Sequence, residues 1–222
     1  DNASGVAVLL EIARSWHKHG YVPRRTVLFC AWDAEEMGLL GSNFFAKNPT
    51  LDLEQVAYMI NLDMVGEDQS QTGSSWLIEC PPDAAASFAP DLLAHLRDIL
   101  PDLKNMTDVS PSHTGVGAIP LYRQTQVPFS GGSDHYILSD PSVGIPTPML
   151  IQWPDKYWHT SEDTLDKVDA NMLVVVGAVA ASYAYFVANA GAREARWLGL
   201  EMAARFRARL AETVQDGLTQ AL

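Results

Sequence analysis

The chain has 222 residues, enough for one α/β domain with a substantial core or at most two small domains. Apolar residues make up 47% and charged residues 19%, which excludes a disordered or fibrous chain. With 15 basic against 27 acidic residues, the net charge of −12 argues against nucleic acid or an anionic membrane surface as a partner, and suits a site that gathers carboxylates round a cation.

The opening Asp1-Asn2-Ala3-Ser4-Gly5 carries no basic or apolar leader and reads as the middle of a fold, so a fragment or processed chain is expected. Val6, Leu9, Leu10, Ala13 and Trp16 recur at helical spacing, with Asn2 or Ser4 as N-cap and Gly20 as the stop. The apolar run 26–32 reads as a buried strand that ends abruptly in Asp33-Ala34-Glu35-Glu36, with a helix following through Met37, Leu40, Phe44 and Phe45. A strand over 56–62 ends in Asp63, another covers 76–79, and a helix covers about 84–100. Residues 105–133, rich in Pro, Gly, Ser and Thr, read as irregular, with room for short strands and loops. A last strand, 147–152, runs into Trp153-Pro154-Asp155-Lys156-Tyr157-Trp158-His159, and helices cover about 169–190 and 193–218. This alternation predicts an α/β fold with a layered mixed β-sheet flanked by helices.

Residues 172–190 carry no charge and meet the length of a membrane span. Their Ala and Gly content, with Ser182, Tyr183, Tyr185 and Asn189, reads instead as a helix buried in a soluble domain, so no membrane span is expected. Beyond it, Leu198, Met202, Phe206, Leu210, Val214 and Leu218 form an i, i+4 stripe, with Glu201 placed to pair with Arg205. That stripe packs on its own domain, on a second copy, or on a domain outside this chain. Cys30 and Cys80 are too few for a disulfide framework and do not fix the compartment. His17 and His19 do not share a helix face and read as surface residues.

Three apolar strands thus deliver metal-capable residues at their carboxyl ends: Glu35 and Glu36, Asp63, and His159. Strand carboxyl ends are where ligands bind in open α/β sheets. Each residue alone has an ordinary reading, as a helix-start turn, a turn residue or a surface histidine. Together they would place strong negative charge in a small space, a conflict that a dication removes.

The ordered series Asp1-Asn2-Ala3-Ser4-Gly5, Trp32-Asp33-Ala34-Glu35-Glu36-Met37-Gly38-Leu39-Leu40-Gly41-Ser42, Asn61-Leu62-Asp63 and His159-Thr160-Ser161-Glu162-Asp163-Thr164 resembles the co-catalytic zinc exopeptidases. This group includes bacterial leucyl aminopeptidases, aminopeptidase Y and glutamate carboxypeptidase. The resemblance implies the zinc-exopeptidase (phosphorylase/hydrolase-like) fold, with its N-terminal part missing. It also implies a catalytic domain over 1–190 and a C-terminal amphipathic helical extension over 191–222 that lies outside the shared pattern.

Carried over by position, Asp1 bridges two zinc ions, Glu36 and His159 complete one site with it, and Asp63 binds the other ion. Glu35 is the general base beside a metal-bound water. Asp163 is either support for the His159 loop or a helix cap. The family supplies a histidine shortly before the bridging aspartate, where this chain begins. Either that ligand lies outside the 222 residues, or the second metal is weak or absent. The run Gly131-Gly132-Ser133-Asp134-His135 resembles a loop near the substrate, making Asp134 and His135 substrate-binding candidates beside a structural-turn reading. It is not a serine-hydrolase elbow, because His135 stands where GxSxG has its final glycine.

The implied activity is a zinc-dependent exopeptidase on peptide substrates, foremost an aminopeptidase, in a secreted or periplasmic setting. Alternatives are a glutamate-carboxypeptidase-like activity with Arg123 as a candidate for the substrate carboxylate, a single-zinc glutaminyl cyclase, or a non-catalytic relative such as the transferrin receptor.

Overall fold

The structure is a computed structural model that describes residues 2–85, 87–107 and 122–220. Helix α1 (Ala3–Lys18) is capped by the Asn2 side chain, which accepts from the Gly5 N–H, and Gly20 ends the turn after it with φ +63°. Then follow α2 (Leu40–Lys47), β1 (Asn61–Asp63), α3 (Gln69–Thr72), β2 (Ser75–Glu79), α4 (Ala89–Thr107), β3 (Gln124–Val127), α5 (His135–Ser139), β4 (Met149–Trp153), α6 (Ala170–Asn189) and α7 (Ala192–Gln220). The four-stranded sheet has the order β1-β4-β2-β3. β1 runs parallel to β4 and β3 parallel to β2, while β2 and β4 are antiparallel, so the sheet is mixed as expected. Asp63 lies level with Ile151 in the middle of β4, and Glu79 with Met149 at its start.

One core serves the sheet and the helices laid on it. Val8 and Ile12 of α1, Leu92 and Leu93 of α4, and Val176, Val179 and Tyr183 of α6 close over Leu62, Trp76, Ile78 and Leu150. By length and composition α6 could cross a membrane; here its Met172–Val176–Val179–Tyr183 face is part of this core. Leu198 anchors the start of α7 in the same core, and Arg209 and Arg205 pair with Asp91 and Asp98 of α4. Glu201 pairs with Arg205 at 2.7 Å and with His95 at 3.0 Å. Leu210, Val214 and Leu218 stay exposed.

Three expected elements differ. Residues 26–32 form no strand, and β1 is confined to Asn61–Asp63 rather than covering 56–62. Both segments line one cavity of about 870 Å³, the first through Val27, Phe29 and Ala31 and the second through Met59, Ile60 and Leu62. Extended chain becomes ladder only when a neighbour pairs with it about 4.8 Å away, and residues 26–32 form no such ladder. The 26–32 segment is held at its ends instead. Arg25 donates to the carbonyls of Ala188, Val187 and Ala190, and the Asp33 carbonyl accepts from the Gly41 N–H. Helix α4 begins at Ala89, not 84, because Ser87 Oγ caps the Ala89 N–H and Pro90 suits only a first turn. Within the region expected to be irregular, α4 continues to Thr107 and β3 forms, while residues 108–121 lie outside the described ones.

Candidate active site

The Glu35-Glu36 turn is built on close backbone packing. After Asp33 the chain reverses at Ala34 (φ +56°), and the Glu35 carbonyl accepts from both Gly38 and Leu39. A Cβ at Gly41 would lie 2.5 Å from the Asp33 carbonyl oxygen and 2.7 Å from the Asp33 nitrogen. Only glycine lets the first turn of α2 rest on Asp33, which fixes where Glu35 and Glu36 project.

Asp63 is the last residue of β1 and is nearly buried. The Asn2 carboxamide brackets it. Its Nδ2 donates to the Leu62 carbonyl at 2.9 Å, and its Oδ1 accepts from the Met64 N–H at 3.1 Å while capping α1. Ser4 Oγ accepts from the Val65 N–H, and a Cβ at Gly5 would meet the Leu62 oxygen at 2.6 Å. The helix start and the Asp63 corner are therefore one unit. Asp1, the expected bridging ligand, precedes Asn2 and lies outside the described residues.

His159 follows a loop that opens with a cis Trp153–Pro154 bond, and Trp158 stacks on its ring at 3.9 Å. Its Nε2 lies 2.7 Å from Glu36 Oε1, so the structure brings together two of the expected ligands. Among the described residues, three of the four non-glycine residues with positive φ, namely Ala34, Met64 and His159, adjoin or belong to this group. Such backbone is uncommon and clusters at functional sites.

The carboxylates perturb one another. Burial, helped by the charges of Asp63, Glu36 and Asp134, pushes the Glu35 carboxyl up to about 7. Burial also raises Asp63 against a hydrogen bond from Ser133, and raises Asp134 against one from Ser42. Asp134 Oδ1 is buried without a hydrogen-bond partner. This is the like-charge conflict that a cation relieves, and carboxylate with imidazole is a donor set that zinc accepts. Among the described residues no three His, Cys, Asp or Glu stand in a ready-made ion site. Glu36 and His159 bond each other, and the third donor assigned to them is Asp1.

Other candidates have settled places. The His135 ring is wholly buried, with Nε2 2.8 Å from Glu79 Oε1, and has no surface to offer a substrate. Arg123 donates to the Ser74 carbonyl and to the Gln69 carbonyl, so its guanidinium is engaged within the fold. Ser133 Oγ, not singled out from the sequence, accepts from Asn61 Nδ2 at 2.8 Å and bonds Asp63. Gly5 was also missed as a site residue. A glycine inside a helical pattern costs roughly 1 kcal/mol against alanine, and that penalty was the available signal.

The model for peptidase family M28 matches residues 1–184. A probable zinc metalloprotease of Phaeosphaeria nodorum is 47% identical over 75 residues, which is 34% of this chain and 15% of that protein. A probable glutamate carboxypeptidase of Arabidopsis thaliana is 30% identical over 172 residues, covering 75% of this chain and 22% of the relative. Among solved structures, the aminopeptidase from Aneurinibacillus sp. strain AM-1 superposes with a TM-score of 0.61 at 30% identity, over 86% of this chain and 40% of that one. The chain thus spans less than a quarter of these two curated relatives and less than half of the solved chain.

Proposed function

Because the chain belongs to peptidase family M28, we propose that the protein is a zinc-dependent exopeptidase and, within that class, an aminopeptidase. The observation that carries the reading is Glu35, a raised carboxyl set among Asp63, Asp134 and the Glu36–His159 pair. Glu36 and His159 would hold one zinc together with Asp1, and Asp63 would be a ligand of a second. Bound zinc supplies Lewis acidity and lowers the pKa of water from 15.7 toward about 7. Glu35 accepts the proton of the attacking water and delivers it to the leaving amine, a role typically worth about 10²–10⁴-fold. Asp134 adds negative potential at the same wall, which suits the ammonium group of a peptide's N-terminus.

Two observations favour removal of N-terminal residues. The likeness to the Aneurinibacillus aminopeptidase extends over most of this chain. Arg123, the candidate cation for a substrate carboxylate, is held by the Ser74 and Gln69 carbonyls. The test is release of p-nitroaniline from leucyl p-nitroanilide by the zinc-loaded protein, beside release of glutamate from a peptide ending in glutamate. Anilide cleavage alone supports the reading. Glutamate release without anilide cleavage would replace it with a carboxypeptidase.

A further inference from the structure

We infer that Glu79, on the far end of β2, is a positioning residue for the proposed active site, acting with His135 through the loop that carries Ser133 and Asp134. The inference rests on the exopeptidase reading and deepens it. Glu79 is 3% exposed, and its carboxylate takes four hydrogen bonds, all from residues 130–135. Oε1 accepts from the Ser130 N–H at 2.8 Å and the Gly131 N–H at 3.1 Å, and lies 2.8 Å from His135 Nε2. Oε2 accepts from Ser130 Oγ at 2.9 Å. A buried carboxylate is costly unless saturated in this way. The His135 Nδ1 is buried without a partner, which fits the tautomer with its proton on Nε2 facing Glu79.

The consequence lies between the two ends of the clamp. Gly131 (φ +81°) and Gly132 (φ +95°) turn the chain so that one side chain holds both Ser130-Gly131 and His135. The arc between them is Gly132-Ser133-Asp134, and Ser133 reaches Asn61 and Asp63. Ser133 and Asp134 line the same cavity as Asp63 and Glu35. Glu79 touches none of these carboxylates. It sets the position of the wall against which Asp63 and Glu35 stand, and a small misplacement of such a wall costs rate rather than fold.

The test is Glu79→Gln, which keeps size but turns one acceptor into a donor facing donors. Ser130→Ala, which deletes the Oε2 contact and the hydroxyl's long 3.4 Å contact with the Gly131 carbonyl, is the milder variant should Glu79→Gln fail to fold. In either folded variant, amide exchange at Ser133 and Asp134 is expected to rise at least about tenfold while β4 amides are unmoved. kcat on the anilide is expected to fall about 10- to 100-fold with KM within about twofold. Adding Glu79→Gln to Ser133→Ala is expected to cost little more than Ser133→Ala alone, because both act through one contact. Unchanged exchange at Ser133 and Asp134, or losses that multiply in the double variant, would overturn the inference. If the wild-type protein cleaves no anilide the aminopeptidase reading fails, and the exchange result alone still judges the clamp.

Discussion

Glu36 and His159 stand 123 residues apart in the chain and 2.7 Å apart in the fold. Each is held from its own side, Glu36 by a turn that Gly41 lets rest on Asp33, and His159 by the ring of Trp158. Two exposed side chains paired in this way contribute little to stability. Their convergence beside Asp63 and Glu35 is better explained by a shared ligand than by folding.

Glu35→Ala is expected to lower anilide hydrolysis by about 10²–10⁴-fold while zinc content stays as in the wild type. Metal analysis of the purified variant checks this. Loss of metal would show that Glu35 and Glu36 have each other's roles.

Gly5→Ala places a methyl group 2.6 Å from the Leu62 oxygen and 2.3 Å from Asn2 Oδ1. Although alanine favours helix, the substitution is expected to destabilise by about 1–3 kcal/mol, read in urea unfolding. Gly41→Ala, with 2.5 Å to the Asp33 oxygen, should do the same and reduce activity as the Glu35-Glu36 turn shifts. A stability gain in either would contradict the close-approach account.

The metal-free protein should lose stability as pH rises. Glu35 is raised to about 7, and burial pushes Glu67 to about 8, helped by Asp155 and Asp163 and opposed by a hydrogen bond from Ser74, both from an ordinary 4.5. A carboxyl with its folded pKa above the unfolded value stabilises the fold while protonated, fully below about 4.5. That contribution fades as pH rises through about 7 for Glu35 and about 8 for Glu67. Thermal midpoints of zinc-free protein between pH 5 and 8 should therefore fall, less steeply in Glu67→Gln. Saturating zinc should flatten the part due to Glu35. A midpoint that rises over this range would refute the assignment.

Leu198→Ala should cost about 2–5 kcal/mol, as a buried leucine at the root of α7. Leu210→Ala, on the exposed stretch, should change stability by no more than about 0.5 kcal/mol at any protein concentration if α7 has no further partner. A larger, concentration-dependent loss would identify the stripe as a contact between copies.

The mixed α/β fold class was legible in the sequence, and so were candidate site residues of which the structure brings Glu36 and His159 together. Glu35, Glu36, Asp63 and His159 could be read because each follows an apolar run, and strand ends are where a fold presents polar groups. The 26–32 segment has the same apolar character as a strand, but pairing depends on a neighbour remote in sequence, and the segment forms no ladder. Gly5 and Gly41 matter through contacts with Leu62 and Asp33 that local propensity does not encode. Glu79 is hidden for a related reason: its four donors come from a loop about fifty residues away, so nothing near it in the chain marks it as part of the site.

The most direct test of the central claim is zinc binding, measured by calorimetry on the wild-type protein and on Glu36→Ala and His159→Ala side by side. The account predicts that the wild type binds zinc and that each variant loses an ion or binds it at least about tenfold more weakly. Equal zinc affinity and stoichiometry in all three proteins would contradict it, and would leave the Glu36–His159 pair as a surface ion pair.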